Sequence, residues 1–132
     1  MHNKKLFIPY SRQSIDEKDI AAVCSVLRSD YLTTGPKIEE FEKAVCSYVG
    51  AKNGVAVSSG TAALQCSMYA LGICPGDEVI VPPMTFAATA NCVCLMGATP
   101  VFVDVEPGTL LIDPKEVEAR ITPRTKAIIG VD

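Results

Sequence analysis

The chain has 132 residues, 48% of them hydrophobic, with 12 Lys and Arg against 15 Asp and Glu and a net charge of −3. That length suits one domain rather than two, and the scattered basic residues exclude the clustered footprint of a nucleic-acid binder. No stretch approaches the ~20 apolar residues of a membrane span, and the three-residue apolar run Leu6-Phe7-Ile8 falls short of a secretory leader, which needs roughly 7–15, so a cytoplasmic protein is expected.

Residues 1–13 read as an extended arm, and Ser14 starts the first helix. Ser14-Ile15-Asp16-Glu17 fits a capping box with Glu17 at its third position. Ile20, Val23, Cys24 and Leu27 fall on one face, and the helix ends near Arg28-Ser29-Asp30. The loop Tyr31–Gly35 follows. Pro36 suits the first position of a second helix. That helix carries the stripe Ile38, Phe41, Val45, Tyr48 and Val49 and stops at Gly50, the residue best able to take a left-handed turn.

From there strands and helices alternate. A strand is expected over Gly54–Val57, a helix over about 61–71 closed by Gly72, and a turn and strand over Pro75–Val81. A helix over about 86–96 closed by Gly97 and a strand over Pro100–Val105 come next. Asp113 caps a helix that begins at Pro114 and reaches about Arg120, and the strand Lys126–Val131 ends the pattern. Alternation of this kind argues for a parallel sheet covered on both faces, and short apolar strands suit such double burial. A chain ending on a freshly laid strand is expected to be a truncated domain.

Six cysteines stand at positions 24, 46, 66, 74, 92 and 94, without a Cys-x-x-Cys pair, and His2 is the single histidine. A zinc site needs four convergent ligands. No metal site is expected, and the thiols read as small buried hydrophobes.

In open α/β sheets ligands sit at the carboxyl ends of strands, where helix amides point outward. Three loops fall there. Ser58-Ser59-Gly60-Thr61 offers a close backbone approach at Gly60 and hydroxyls at Ser59 and Thr61, which suits a phosphate cradle, though taken alone the motif reads first as an ordinary helix cap. Phe86, in Pro82-Pro83-Met84-Thr85-Phe86, can lie over a planar ring or fill the core. Asp104 can face the same crevice or cap a turn. A hydrolase reading fails for want of a histidine base and a Gly-x-Ser-x-Gly elbow. A dinucleotide reading fails for want of Gly-x-Gly-x-x-Gly.

Six linked blocks now accumulate. They are Gly35-Pro36 with Glu39, Phe41 and Glu42; Ser59 to Leu64; Gly72 to Ile80; Thr85 to Ala90; Gly97 to Val105; and Ile121 to Ile129. In this order they resemble the N-terminal part of a DegT/StrS-type sugar aminotransferase, a fold-type-I enzyme that uses pyridoxal 5'-phosphate. The resemblance covers about residues 8–132. Ile8-Pro9-Tyr10 through Asp16, and Asp30 through Pro36, most resemble the subgroup that aminates a UDP-linked 4-keto-6-deoxy-N-acetylhexosamine in pseudaminic acid synthesis.

The resemblance implies an α/β fold, the incomplete fold-type-I large domain, with N-terminal helices followed by alternating strands and helices in a mainly parallel sheet. It implies an arm over 1–14 and a truncated major domain over 15–132. Gly60 and Thr61 would hold the cofactor phosphate through their amides, Ser59 would flank them, and Phe86 would stack on the pyridine ring. Tyr31, Thr34 and Gly35 would lie near the substrate entrance. Glutamate would donate the amino group to a nucleotide-linked 4-keto-6-deoxy sugar, and the complete enzyme would be a homodimer.

The family's Schiff-base lysine, in a Ser-x-x-x-x-Lys stretch, and its ring-nitrogen aspartate are expected beyond Asp132. None of the eight lysines at 4, 5, 18, 37, 43, 52, 115 and 126 has the buried setting of such a lysine. No catalytic residue is therefore assigned, and the chain alone is expected to be inactive. One half of a split enzyme and a non-catalytic phosphate-binding or regulatory module are the alternatives. In the fold-type-I order the third, second and fourth strands are neighbours and the first pairs with a seventh, so strand 54–57 is expected to show an unpaired edge or to borrow a partner.

Overall fold

The computed structural model describes residues 8–9 and 11–131. Residues 1–7, 10 and 132 lie outside it, and with them most of the expected arm, including His2, Lys4 and Lys5. The chain divides into two compact units, one ending at Val55 and one running from Ala56.

The first unit holds α1 (Glu17–Leu27) and α2 (Pro36–Val49). Both form where local signals place them, but the cap of α1 differs from expectation. Asp16, not Ser14, is the N-cap. One carboxylate oxygen of Asp16 accepts from the amides of Lys18 and Asp19 at 2.8 and 3.1 Å, and the Asp16 amide donates to Asp19 at 2.9 Å. A carboxylate accepts two amides at the positive end of a helix better than a serine hydroxyl does, which moves the start two residues onward. Pro36 opens α2 and Gly50 closes it in the left-handed region, as its sequence requires. Neither helix has a fully buried residue. The apolar stripes exist as spacing, yet within this unit they remain exposed, Tyr48 at 93%.

The second unit is built of α3 (Gly60–Ala70), β1 (Glu78–Val81), α4 (Ala88–Leu95), β2 (Thr99–Phe102), α5 (Pro114–Arg120) and β3 (Thr125–Ile128). Its sheet is parallel, in the order β2-β1-β3, the neighbour relation expected for the third, second and fourth strands. Residues 54–57 form no strand, a correction to the sequence reading. A strand is defined by its ladder, and this segment is not a member of the three-stranded sheet β2-β1-β3. β2 likewise stops at Phe102, because Val105 turns away to pair antiparallel with Ile112.

β1 occupies the centre and is buried at all four positions. Its side chains alternate across the sheet. Val79 and Val81 join Met68, Ile73, Cys92, Val93 and Ala98 in a cluster made with α3 and α4. Ile80 points the other way, to Val103 and to Val117 of α5. α4 and α5 thus cover opposite faces, as two right-handed crossovers leaving in opposite directions must place them. β2 and β3 lie at the edges and are only partly buried, so the expected double-sided burial holds for the central strand alone.

Glu78, at the start of β1, is 7% exposed. Its carboxylate accepts from the Thr122 hydroxyl at 2.6 Å and from two guanidinium nitrogens of Arg124, and its amide donates to the Arg124 carbonyl at 2.9 Å. The Thr122 hydroxyl first, then the Arg124 guanidinium, holds this carboxyl below the usual carboxylate range against the opposing effect of burial. This clamp joins β1 to the turn before β3.

The cysteines correct a further expectation. None is in a disulfide, but only Cys92 is buried, while Cys66, Cys74 and Cys94 are exposed. Among the described residues no group of three or more His, Cys, Asp or Glu is arranged for a metal ion, and no helix is long and apolar enough to cross a membrane.

Candidate functional site

Ser59 is the N-cap of α3. Its backbone is extended, and its hydroxyl oxygen accepts from the Ala62 amide at 3.1 Å. The helix-cap reading of the Ser58–Thr61 motif is therefore met, but it uses only one of the orphan amides at this end. The amides of Gly60 and Thr61 take no acceptor among the described residues. Gly60 is exposed, and a Cβ placed there would meet nothing within 4 Å. The cap and the cradle are thus compatible: the serine spends its hydroxyl on Ala62, and two adjacent amides remain for an outside anion at the positive end of an 11-residue helix.

Phe86 follows the carboxyl end of β1, in the loop that leads into α4. It is 79% exposed, which removes the core reading. Pro82, ahead of it, is fully buried. The Phe86 carbonyl accepts from the Thr89 amide at 3.0 Å, so the aromatic stands just outside the first turn of α4. Thr85 and Thr89, either side of Phe86, share a hydroxyl–hydroxyl bond of 2.8 Å. The sequence reading held Thr85 and Thr89 within one block of the family resemblance and gave neither a role. A threonine four residues after another, straddling an aromatic at a helix start, is the signal that was available.

Asp104 belongs to a turn. Its carboxylate accepts from the Val105 amide at 2.8 Å, and its carbonyl accepts from the Asp113 amide at 3.1 Å. The capping alternative accounts for it. Two of the thiols are held in the protonated form: burial, as the largest cause, pushes Cys92 up, and hydrogen bonding to Asp77 does the same to Cys74. A raised thiol is mostly protonated and unreactive. The six described lysines are all exposed.

Tyr31, Thr34 and Gly35 lie in the first unit, in the turn before α2. Thr34 takes a left-handed conformation, with φ 52°. Gly35 is the N-cap of α2, and a Cβ there would come within 2.9 Å of the Tyr31 Cβ. Ser29 borders the turn, its hydroxyl donating to the Val26 carbonyl at 2.7 Å with the Tyr31 carbonyl as a second, longer acceptor at 3.2 Å. The structure thus brings these three residues together in one tight turn, and separately brings Ser59, Gly60 and Thr61 together at the start of α3. Phe86 belongs to the same unit as the latter group.

A parallel sheet with helices on both faces, an open small-residue helix start and an exposed aromatic beyond a strand's carboxyl end together make an α/β architecture of the kind seen in ligand-binding enzymes. Residues 13–132 match the DegT/DnrJ/EryC1/StrS aminotransferase family, and the chain belongs to that family. It is 51% identical over 125 residues to the spore coat polysaccharide biosynthesis protein SpsC of Bacillus subtilis, a match that covers 95% of this chain and 32% of SpsC. The pyridoxal-phosphate form of Spr1654 from Streptococcus pneumoniae superposes with a TM-score of 0.85 at 42% identity, over 92% of this chain and 31% of that one. NtdA of Bacillus subtilis with bound pyridoxamine phosphate superposes with a TM-score of 0.78 at 42% identity, over 84% of this chain and 26% of that one. The chain spans about a third of the length of SpsC and of Spr1654. The α/β fold agrees with these aminotransferase structures over the part it covers.

Proposed function

We propose that this chain carries the cofactor-phosphate and ring-facing portion of a pyridoxal-phosphate-dependent sugar aminotransferase. The observation that carries this reading is the open start of α3, where the Gly60 and Thr61 amides have no acceptor among the described residues. Those amides hold the phosphate, Ser59 keeps the helix start in shape by binding Ala62, and Phe86 offers its exposed face to the ring. When bound, pyridoxal phosphate supplies the electron sink for amino-group transfer. The chain's own part is to bind and orient it.

The complete enzyme takes its amino group from glutamate, delivers it to a nucleotide-linked 4-keto-6-deoxy sugar, and works as a homodimer. Tyr31, Thr34 and Gly35 border the substrate entrance. Within the family, the Asp30–Pro36 segment favours the pseudaminic-acid type of substrate, a UDP-linked 4-keto-6-deoxy-N-acetylhexosamine. SpsC, a polysaccharide biosynthesis protein, supports the substrate class, and NtdA with its bound pyridoxamine phosphate supports the cofactor. No described lysine has the buried position of a Schiff-base lysine, so the 132-residue polypeptide binds without catalysing.

Equilibrium dialysis of the chain against pyridoxal phosphate and against pyridoxal tests this reading. The phosphorylated form is expected to bind more tightly, to be displaced by inorganic phosphate, and to weaken in Gly60→Asp, whose carboxylate repels it. Equal binding of the two forms would overturn the assignment of α3. Borohydride reduction with mass mapping is expected to mark no single lysine; one stoichiometric adduct would overturn the non-catalytic reading.

A further inference from the structure

We propose that Thr85 and Thr89 form a hydroxyl latch that positions Phe86, an inference that rests on the ring-facing role given to that residue above. The loop between β1 and α4 has few other means of holding shape. Pro82 and Pro83 have no backbone N–H to donate. The N-cap position of α4, Ala87, provides no side-chain cap. What remains are the bonds from the Thr89 amide to the Phe86 carbonyl and from the Asn91 amide to the Ala87 carbonyl, each 3.0 Å, and the 2.8 Å contact between the two hydroxyls, the one side-chain bond among the described residues to the residue next to Phe86.

The burial of Thr89 decides what its hydroxyl is for. Thr89 is 5% exposed, and valine has nearly its shape, so packing alone does not call for a hydroxyl there. That hydroxyl makes its side-chain bond to Thr85, while the Thr89 carbonyl is separately engaged by the Cys92 thiol at 3.1 Å. A hydroxyl sealed from solvent must find its partner within the protein. Here it finds it on the residue immediately before Phe86. The helix is anchored in the core by Ala88, Cys92 and Val93, so the latch passes the rigidity of α4 to an aromatic that is itself exposed. Thr89 and Thr85 are positioning residues, which act on a bound ring only through Phe86.

The chain has no tryptophan, so Phe86→Trp makes a single-tryptophan reporter in the 132-residue chain, excited at the red edge of the indole band where the four tyrosines do not absorb. In that background Thr89→Val removes one hydroxyl and leaves Thr85 half-exposed, where water can satisfy it. Thr89→Ser keeps the hydroxyl. With no cofactor added, the indole anisotropy is expected to fall in Thr89→Val and to return in Thr89→Ser, with far-ultraviolet circular dichroism unchanged. Quenching by pyridoxal phosphate is expected to weaken roughly two- to tenfold in Thr89→Val, the range of one net hydrogen bond. Unchanged anisotropy in Thr89→Val, or a serine variant as mobile as the valine one, would overturn the latch. If Thr89→Val does not fold, Thr85→Val, at a more accessible position, gives the same reading. Failure of pyridoxal phosphate to quench the reporter with both threonines intact strikes instead at the cofactor assignment, since the cofactor-free anisotropy judges the latch separately.

Discussion

The two units of this chain make regular structure by different means. Up to Val55, α1 and α2 have firm ends and no fully buried residue. From Ala56 on, β1 has four buried residues in a row and contributes to both hydrophobic clusters. In the first unit the helices are marked out by signals a few residues long: the Asp16–Asp19 box, Pro36 and Gly50. In the second, elements hold position because side chains far apart in sequence exclude water together. Local signals set where an element begins and ends; burial sets what it costs to remove.

The sharpest way to break this contrast is truncation on each side of it. Ile80→Ala, at a fully buried position between Val103 and Val117, is expected to cost about 2–5 kcal/mol. Val23→Ala in α1, where the side chain is largely exposed, is expected to cost about 0.5 kcal/mol or less. Urea denaturation followed by circular dichroism checks both, and equal costs would erase the distinction.

Glycine replacement gives a smaller effect of the same kind. Gly97 and Gly50 have nearly the same backbone, with φ 73° and 72°. Each is expected to lose about 1–2 kcal/mol on conversion to alanine, for the left-handed conformation alone. Only at Gly97 would the new Cβ also press on Pro75, 2.9 Å from its Cγ. Gly97→Ala should therefore lower the thermal midpoint more than Gly50→Ala does, and the reverse order would show that the Pro75 contact gives way freely.

The mildest contrast is in acid. Glu78 in the second unit and Glu39 in the first both have lowered carboxyl values, Glu78 through Thr122 and then Arg124, Glu39 through its hydrogen bond and then its charge pairing with Lys43. A carboxyl lowered in the folded state contributes stability that is complete above its unfolded value and is lost as pH falls through the folded one. Glu78→Gln should flatten the acid limb of the stability profile. Glu39→Gln should leave it unchanged within error, because water screens an exposed pair. A flattened limb in the Glu39 variant would mean that exposure does not separate the two.

Much of this was legible in the sequence for a reason the two units make plain. Pro36, Gly50, Asp113 and Pro114 act on their immediate neighbours, so their positions along the chain suffice. The strand order matched through the family resemblance, not through periodicity, which says nothing about neighbours. The failures share one cause. Gly54–Val57 has the composition of a strand, but pairing is a property of two segments. The Glu78–Arg124 clamp spans 46 positions and has no local signature. Ser14 lost to Asp16 because two plausible caps lay within one turn, and hydrogen-bond strength decided between them. At the candidate site, Gly60 and Thr61 could be read from composition, whereas the place of Thr89 depended on knowing that its side chain faces inward.

The clamp at Glu78 also has a consequence in time. A ribosome adds about 5–20 residues each second, so Arg124 is made some 2–10 s after the carboxylate it will bind. Only in the second half of that interval, once Thr99–Phe102 has been made, can β1 pair with β2, and even then its other edge and its acidic first residue must stay hydrated. The central strand of the mature sheet is therefore an edge strand in the nascent chain, and the charge on Glu78 helps keep it from joining a stranger before β3 arrives.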